Sequence, residues 1–129
     1  MDRITRIVHG GVDQGDGYGD LTPPIHHAST YAQADPLHFG PYDYSRSGNP
    51  TRQAVETAIA ALEGGARGLA FASGMAAIGS ALLLFAPGDH LIASRDLYGG
   101  AYRILTGIFS RWGLITTFVD TTDPAVEPA

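Results

Sequence analysis

Cysteine is absent from the 129 residues. That excludes a disulfide framework, a thiolate nucleophile and any thiolate metal site. Lysine is absent too: all eight basic residues are arginine. No side-chain amine is therefore available to form an imine with a carbonyl compound. No apolar run approaches the roughly 18 residues of a membrane-crossing helix, and the first residues carry no signal-peptide-like apolar core. A formal net charge of −5 leaves no basic excess for a nucleic-acid surface. Histidines are few and badly spaced for a metal. His26 and His27 are adjacent, so their side chains diverge, and His9, His38 and His90 bring no ligand pattern. The expectation is a soluble, cytoplasmic protein that uses no metal, membrane or nucleic acid.

What is present is 44% hydrophobic residues in a length suited to one ordinary domain. The chain is organised around Leu69 to Phe85. Leu69, Ala70, Phe71 and Ala72 form an apolar run without alternation, as expected of a strand buried on both faces. Ser73-Gly74 breaks that run, and Met75 to Phe85 has helical spacing through Ile78, Leu82 and Phe85. A strand entering a helix through Ser-Gly leaves unpaired N–H groups at the helix start, where the dipole favours an anion such as phosphate. An ordinary strand–helix turn with nothing bound is the competing reading.

Residues 1 to 43 show little periodicity and carry turn signals at Gly10-Gly11, Gly15-Asp16-Gly17, Gly19-Asp20 and Pro23-Pro24. Ile25, Tyr31, Leu37, Phe39 and Tyr42 supply apolar anchors, so this segment reads as an arm that packs on something else, such as another subunit. Asn49 and Pro50 then suit the cap and first position of a helix running to about Glu63 and stopped by Gly64-Gly65, with Val55, Ile59 and Leu62 as its buried stripe. Ahead of that cap, Tyr44 and Arg46 point the same way in an extended segment. They make either a phosphate clamp or an ordinary loop pair.

After the central helix the pattern predicts a strand over 90–94, a helix over 101–112 stopped by Gly113, and a strand over 114–119. Strand–helix alternation implies an α/β protein with parallel strands. Ligands on such sheets sit beyond the carboxyl ends of the strands. Both the Ser73-Gly74-Met75 turn and the Tyr98 loop follow a strand in this scheme. Tyr98 is placed either to stack on a flat phosphorylated ligand or merely to cover the next helix.

With those residues set out, the sequence resembles the N-terminal part of the Cys/Met-metabolism family of pyridoxal-phosphate enzymes. The resemblance is carried by PPIHHASTY at 23–31, YSRSGNPTRQAVE at 44–56, LEGGARGLAFASGMAAI at 62–78, GDHLI at 88–92 and LYGGAYR at 97–103. It implies the aminotransferase-like (type I) fold of pyridoxal-phosphate-dependent transferases. Residues 1–49 would be an inter-subunit arm, and 50–129 an incomplete large domain that binds pyridoxal 5'-phosphate.

The resemblance also implies roles for single residues. Ser73, Gly74 and Met75 would hold the cofactor phosphate. Tyr98 would stack on the pyridine ring and assist proton transfer as a catalytic residue. Tyr44 and Arg46 would reach the phosphate of the neighbouring subunit in a homodimer or dimer of dimers. The implied chemistry is trans-sulfuration on cystathionine or activated homoserine, with cystathionine β-lyase or γ-synthase the favoured reactions. The family's cofactor-binding lysine has no counterpart here. The chain is therefore expected to be an inactive N-terminal fragment. The alternative is a non-catalytic remnant that binds phosphate or pyridoxal phosphate, or pairs with full-length subunits.

Overall fold

A computed structural model describes residues 2–9 and 19–123. The turn signals at Gly10-Gly11 and Gly15–Gly17, and the tail from Pro124 onward, lie outside the described residues. The chain divides into two compact units, Met1–Ala70 and Phe71–Ala129.

In the first unit, α1 (Arg3–His9) packs on α2 (Pro50–Glu63). Helix α1 falls where the sequence shows little periodicity. Its start is fixed locally, because the Asp2 carboxylate accepts from the Thr5 N–H at 2.7 Å. Helix α2 has the expected bounds. Asn49, in extended conformation, accepts from the N–H groups of Thr51 and Arg52, Pro50 occupies the first turn, and Gly64 ends the helix in the left-handed region at φ 67°. The stripe expected to be buried is only partly so, with Leu62 half-buried. Val55 and Ile59 are about half exposed, and no residue of α2 is fully buried. The segment before α2 engages the polar side of the helix instead, through His26, Asn49, Thr51 and Arg52.

The second unit holds α3 (Gly74–Leu82), β1 (His90–Ser94), α4 (Gly99–Arg103), a π-helical stretch Ile104–Phe109, α5 (Ser110–Trp112) and β2 (Ile115–Val119). Strands β1 and β2 pair in parallel, with His90 opposite Ile115 and Ser94 opposite Val119, as expected. The strand expected over 69–72 is not formed. Among the described residues the sheet has two strands, and residues 69–72 carry no ladder. A strand exists only through its neighbours, and the Ala70 N–H donates to the Glu56 carboxylate at 2.9 Å instead. Helix α3 stops three residues short of Phe85. Leu84 and Phe85 donate to the carbonyls of Ala81 and Leu82, the tighter three-residue pattern that closes helix ends.

The connection from α4 to α5 covers the predicted 101–112 helix. Its π turn has Ser110 N–H donating to Leu105, which leaves Leu105 and Phe109 buried and Ile108 exposed. Those two side chains join Leu82 and Leu114 in the core, with Leu91, Ala93, Leu97, Ile104 and Phe118 around them. Gly113 ends the run at φ 102°, a conformation that favours glycine.

Candidate functional site

The start of α3 is built by Ser73. Its backbone is extended, and its Oγ accepts from the Ala76 N–H at 3.1 Å. Among the described residues no acceptor engages the N–H of Gly74 or Met75. Two donors and the positive end of a nine-residue helix therefore face outward at one point. Ser73 Oγ is occupied as an acceptor only, so its hydroxyl proton remains a third donor. A Cβ on Gly74 would meet nothing within 4 Å, so the first residue of the helix is not packed against another part of the chain on that side.

Tyr98 sits at the position preceding α4 and is 67% exposed. The ring edge and the Met75 thioether converge on Gly100. A Cβ built there would stand 2.5 Å from Tyr98 Cε1 and 2.8 Å from Met75 Sδ. The donor turn and the exposed aromatic face are thus neighbours within one unit. This arrangement suits a flat molecule that carries a phosphate. The sequence reading missed Gly100; the signal available was the Gly-Gly pair directly after the tyrosine.

In the other unit, Tyr44 and Arg46 lie side by side, brought together by a turn rather than by the expected extended segment: the Ser47 and Gly48 N–H groups donate to the Tyr44 carbonyl at 2.9 and 3.0 Å. Arg46 Nη2 donates to Tyr44 Oη at 3.2 Å, and the guanidinium carbon lies 5.2 Å from the ring centroid. Tyr44 is held by an antiparallel bridge to Thr30, flanked by Tyr31 N–H to Asp43 and Ser45 N–H to Ser29, both at 2.9 Å. Ser45 Oγ also donates to the Ala28 carbonyl. The 23–31 and 44–56 motifs are therefore one local structure that presents a phenol and a guanidinium side by side. Ser29 and Thr30 were not singled out from the sequence, because an isolated bridge leaves no alternating pattern to read. Among the described residues no group of three or more His, Asp or Glu is arranged to hold a metal. No helix there is long and apolar enough to cross a membrane.

Unengaged backbone donors at a helix start, near an exposed aromatic residue, are compatible with a phosphorylated aromatic ligand. The chain belongs to the Cys/Met metabolism PLP-dependent enzyme family, whose pattern it matches over residues 4–127. It is 53% identical over 119 residues to the cystathionine beta-lyase MetC of Bacillus subtilis, covering 92% of this chain and 30% of that protein. It is 43% identical over 122 residues to the cystathionine gamma-lyase of the same organism, covering 95% and 32%. Among solved structures it matches metB from Corynebacterium glutamicum with a TM-score of 0.87 and 41% identity, covering 95% of this chain and 32% of that one. The chain spans about a third of the length of these relatives. Membership carries pyridoxal 5'-phosphate as the cofactor. The open donors at Gly74 and Met75 fit its phosphate, and the exposed Tyr98 ring fits its pyridine.

Proposed function

We propose that this chain is the N-terminal portion of a trans-sulfuration enzyme acting on cystathionine or activated homoserine, with cystathionine β-lyase or γ-synthase as the favoured reactions. The observation that carries the reading is the pair of unengaged N–H groups on Gly74 and Met75 beside the exposed Tyr98 ring, in a chain 53% identical to a cystathionine beta-lyase.

Each residue has a defined task. Gly74 and Met75 donate their backbone N–H groups to the cofactor phosphate, and Ser73 adds its hydroxyl proton. Each contact to a charged acceptor contributes about 1.5–3 kcal/mol. Tyr98 covers one face of the pyridine ring, and its phenolic Oη can take or return a proton near substrate Cα. Pyridoxal phosphate supplies, when bound, the electron sink that stabilises negative charge at Cα. Residues 1–49 form the inter-subunit arm of a homo-oligomer, in which Tyr44 and Arg46 reach the neighbouring subunit's phosphate. Residues 50–129 are the first part of the cofactor domain.

The 129 residues contain no lysine. Nothing in them can hold the cofactor covalently through a side chain or move the Cα proton as an amine would. Unassisted, they are catalytically inactive. That same absence favours a second reading, a non-catalytic remnant that binds phosphate or pairs with full-length subunits. The test is a chimera that joins this chain to the remaining two thirds of the Bacillus subtilis cystathionine beta-lyase. Pyruvate release from cystathionine is expected from the chimera, and none above the free-cofactor rate from the chain alone. A folded chimera that retains cofactor but leaves cystathionine intact would refute the main reading. Turnover by the chain alone would refute its inactivity.

A further inference from the structure

We propose that Gly100 is a positioning residue: its missing side chain lets the Met75 thioether and the Tyr98 ring close on each other, and this sets Tyr98 beside the donor turn. The geometry points to it directly. Gly100 is buried, and a methyl there would overlap Met75 Sδ at 2.8 Å and Tyr98 Cε1 at 2.5 Å. Both atoms lie near one point, so the thioether and the ring edge are close to each other, and sulfur and aromatic rings attract at short range. Met75 comes from the first turn of α3 and Gly100 from α4, two helices that pack together. Tyr98 makes no side-chain cap hydrogen bond, and its ring edge lies against the Gly100 position. Met75 thereby has two functions in this scheme: its N–H faces the phosphate, and its side chain seats the aromatic ring.

Gly99 sharpens the contrast. It is the neighbouring residue on the same helix, yet a Cβ there would meet nothing within 4 Å. Helix propensity therefore favours alanine at both positions, and only Gly100 has a steric reason to remain glycine. Relief of the overlap at Gly100 requires movement of two side-chain ends rather than of backbone. Gly100→Ala is expected to displace the ring while leaving the fold in place.

This inference rests on the cofactor reading for its functional meaning, but its geometry is tested without cofactor. The chain has two methionines, so methyl-13C methionine labelling gives two signals, which a Met75→Leu control assigns. The Met75 methyl is expected to be displaced from the free-methionine position by the ring current. Tyr98→Leu should return it, and Tyr98→Phe should retain it. Gly100→Ala should move it towards the free position, and Gly99→Ala should leave it alone. A Met75 signal indifferent to Tyr98→Leu, or equal shifts from Gly99→Ala and Gly100→Ala, would overturn the proposal. Should Gly100→Ala lower helix content by circular dichroism, the Tyr98→Leu and Tyr98→Phe pair decides by itself. Added pyridoxal phosphate should shift the Met75 methyl further. Failure of that arm alone, with the substitution pattern intact, counts against the cofactor reading and leaves the seat standing.

Discussion

Arg46 lies over the ring of Tyr44, with its guanidinium carbon 5.2 Å from the ring centroid and Nη2 donating to Oη at 3.2 Å. A cation over an aromatic face and a shared hydrogen bond keep two exposed side chains in one orientation. The pair is presented as a unit, which is what an anion clamp requires. In the chimera with the Bacillus subtilis relative, Arg46→Ala should weaken cofactor retention by about tenfold or more, the loss of one charge-assisted contact. Tyr44→Phe should cost less, because the cation–π contact survives. If the clamp works across subunits, mixing Arg46→Ala subunits with subunits broken at Tyr98 should recover activity. No recovery in any mixed dimer would count against the inter-subunit role.

Gly68 lies against the backbone of α2. A Cβ there would overlap the Glu56 carbonyl oxygen and stand 3.0 Å from its carbonyl carbon, groups that cannot swing aside. The Glu56 carboxylate also accepts from the Ala70 N–H at 2.9 Å and lies 3.6 Å from Arg52 Nε. Gly68→Ala should therefore destabilise the chain by about 1–3 kcal/mol, as overpacking typically does. Gly79→Ala is the control. Its Cβ would meet nothing within 4 Å inside α3, so it should stabilise by about 0.5–1 kcal/mol. Urea denaturation of both variants checks the pair, and equal effects would contradict the close approach.

Asp35 closes a small turn. Its carboxylate accepts from the Leu37 N–H at 2.7 Å and from the His38 N–H and ring Nδ1 at 2.9 Å. The Leu37 backbone bond first, and the His38 side chain after it, hold its pKa below the ordinary 3.8. A depressed folded-state value means that the turn's contribution is present above 3.8 and is lost as pH falls through the lower folded value. NMR titration of the Leu37 amide should show a midpoint below 3.8, and Asp35→Asn should abolish it. A midpoint at or above 3.8 would show that the turn does not favour the charged form.

Features set by a few adjacent residues were legible in the sequence. Asn49-Pro50, Gly64, Ser73 and Gly113 mark helix ends by their own hydrogen bonds or backbone freedom, and each does so in the structure. The nearness of Tyr44 and Arg46 was legible from their spacing, but the extended segment assumed for it is a turn, closed by the Ser47 and Gly48 N–H groups on the Tyr44 carbonyl. Features that depend on distant partners were not. Leu69–Ala72 has the composition of a buried strand, but strand pairing needs a neighbour that composition does not name. The π turn at Ile104–Phe109 answers to core packing by Leu105 and Phe109. The meeting of Met75 and Tyr98 over Gly100 requires two helices to be already docked.

The central claim is that the start of α3 holds the phosphate of pyridoxal phosphate through backbone N–H groups. Gly74→Pro tests it most directly. Ser73 is already extended, Gly74 is the first helical residue, and proline is well suited to that position. The substitution therefore removes one donor and keeps the helix. In the chimera, affinity for pyridoxal phosphate should fall about tenfold or more, while affinity for pyridoxal, which lacks the phosphate, should hold steady. An unchanged affinity for pyridoxal phosphate, or an equal loss for both compounds with the helix intact, would contradict the account.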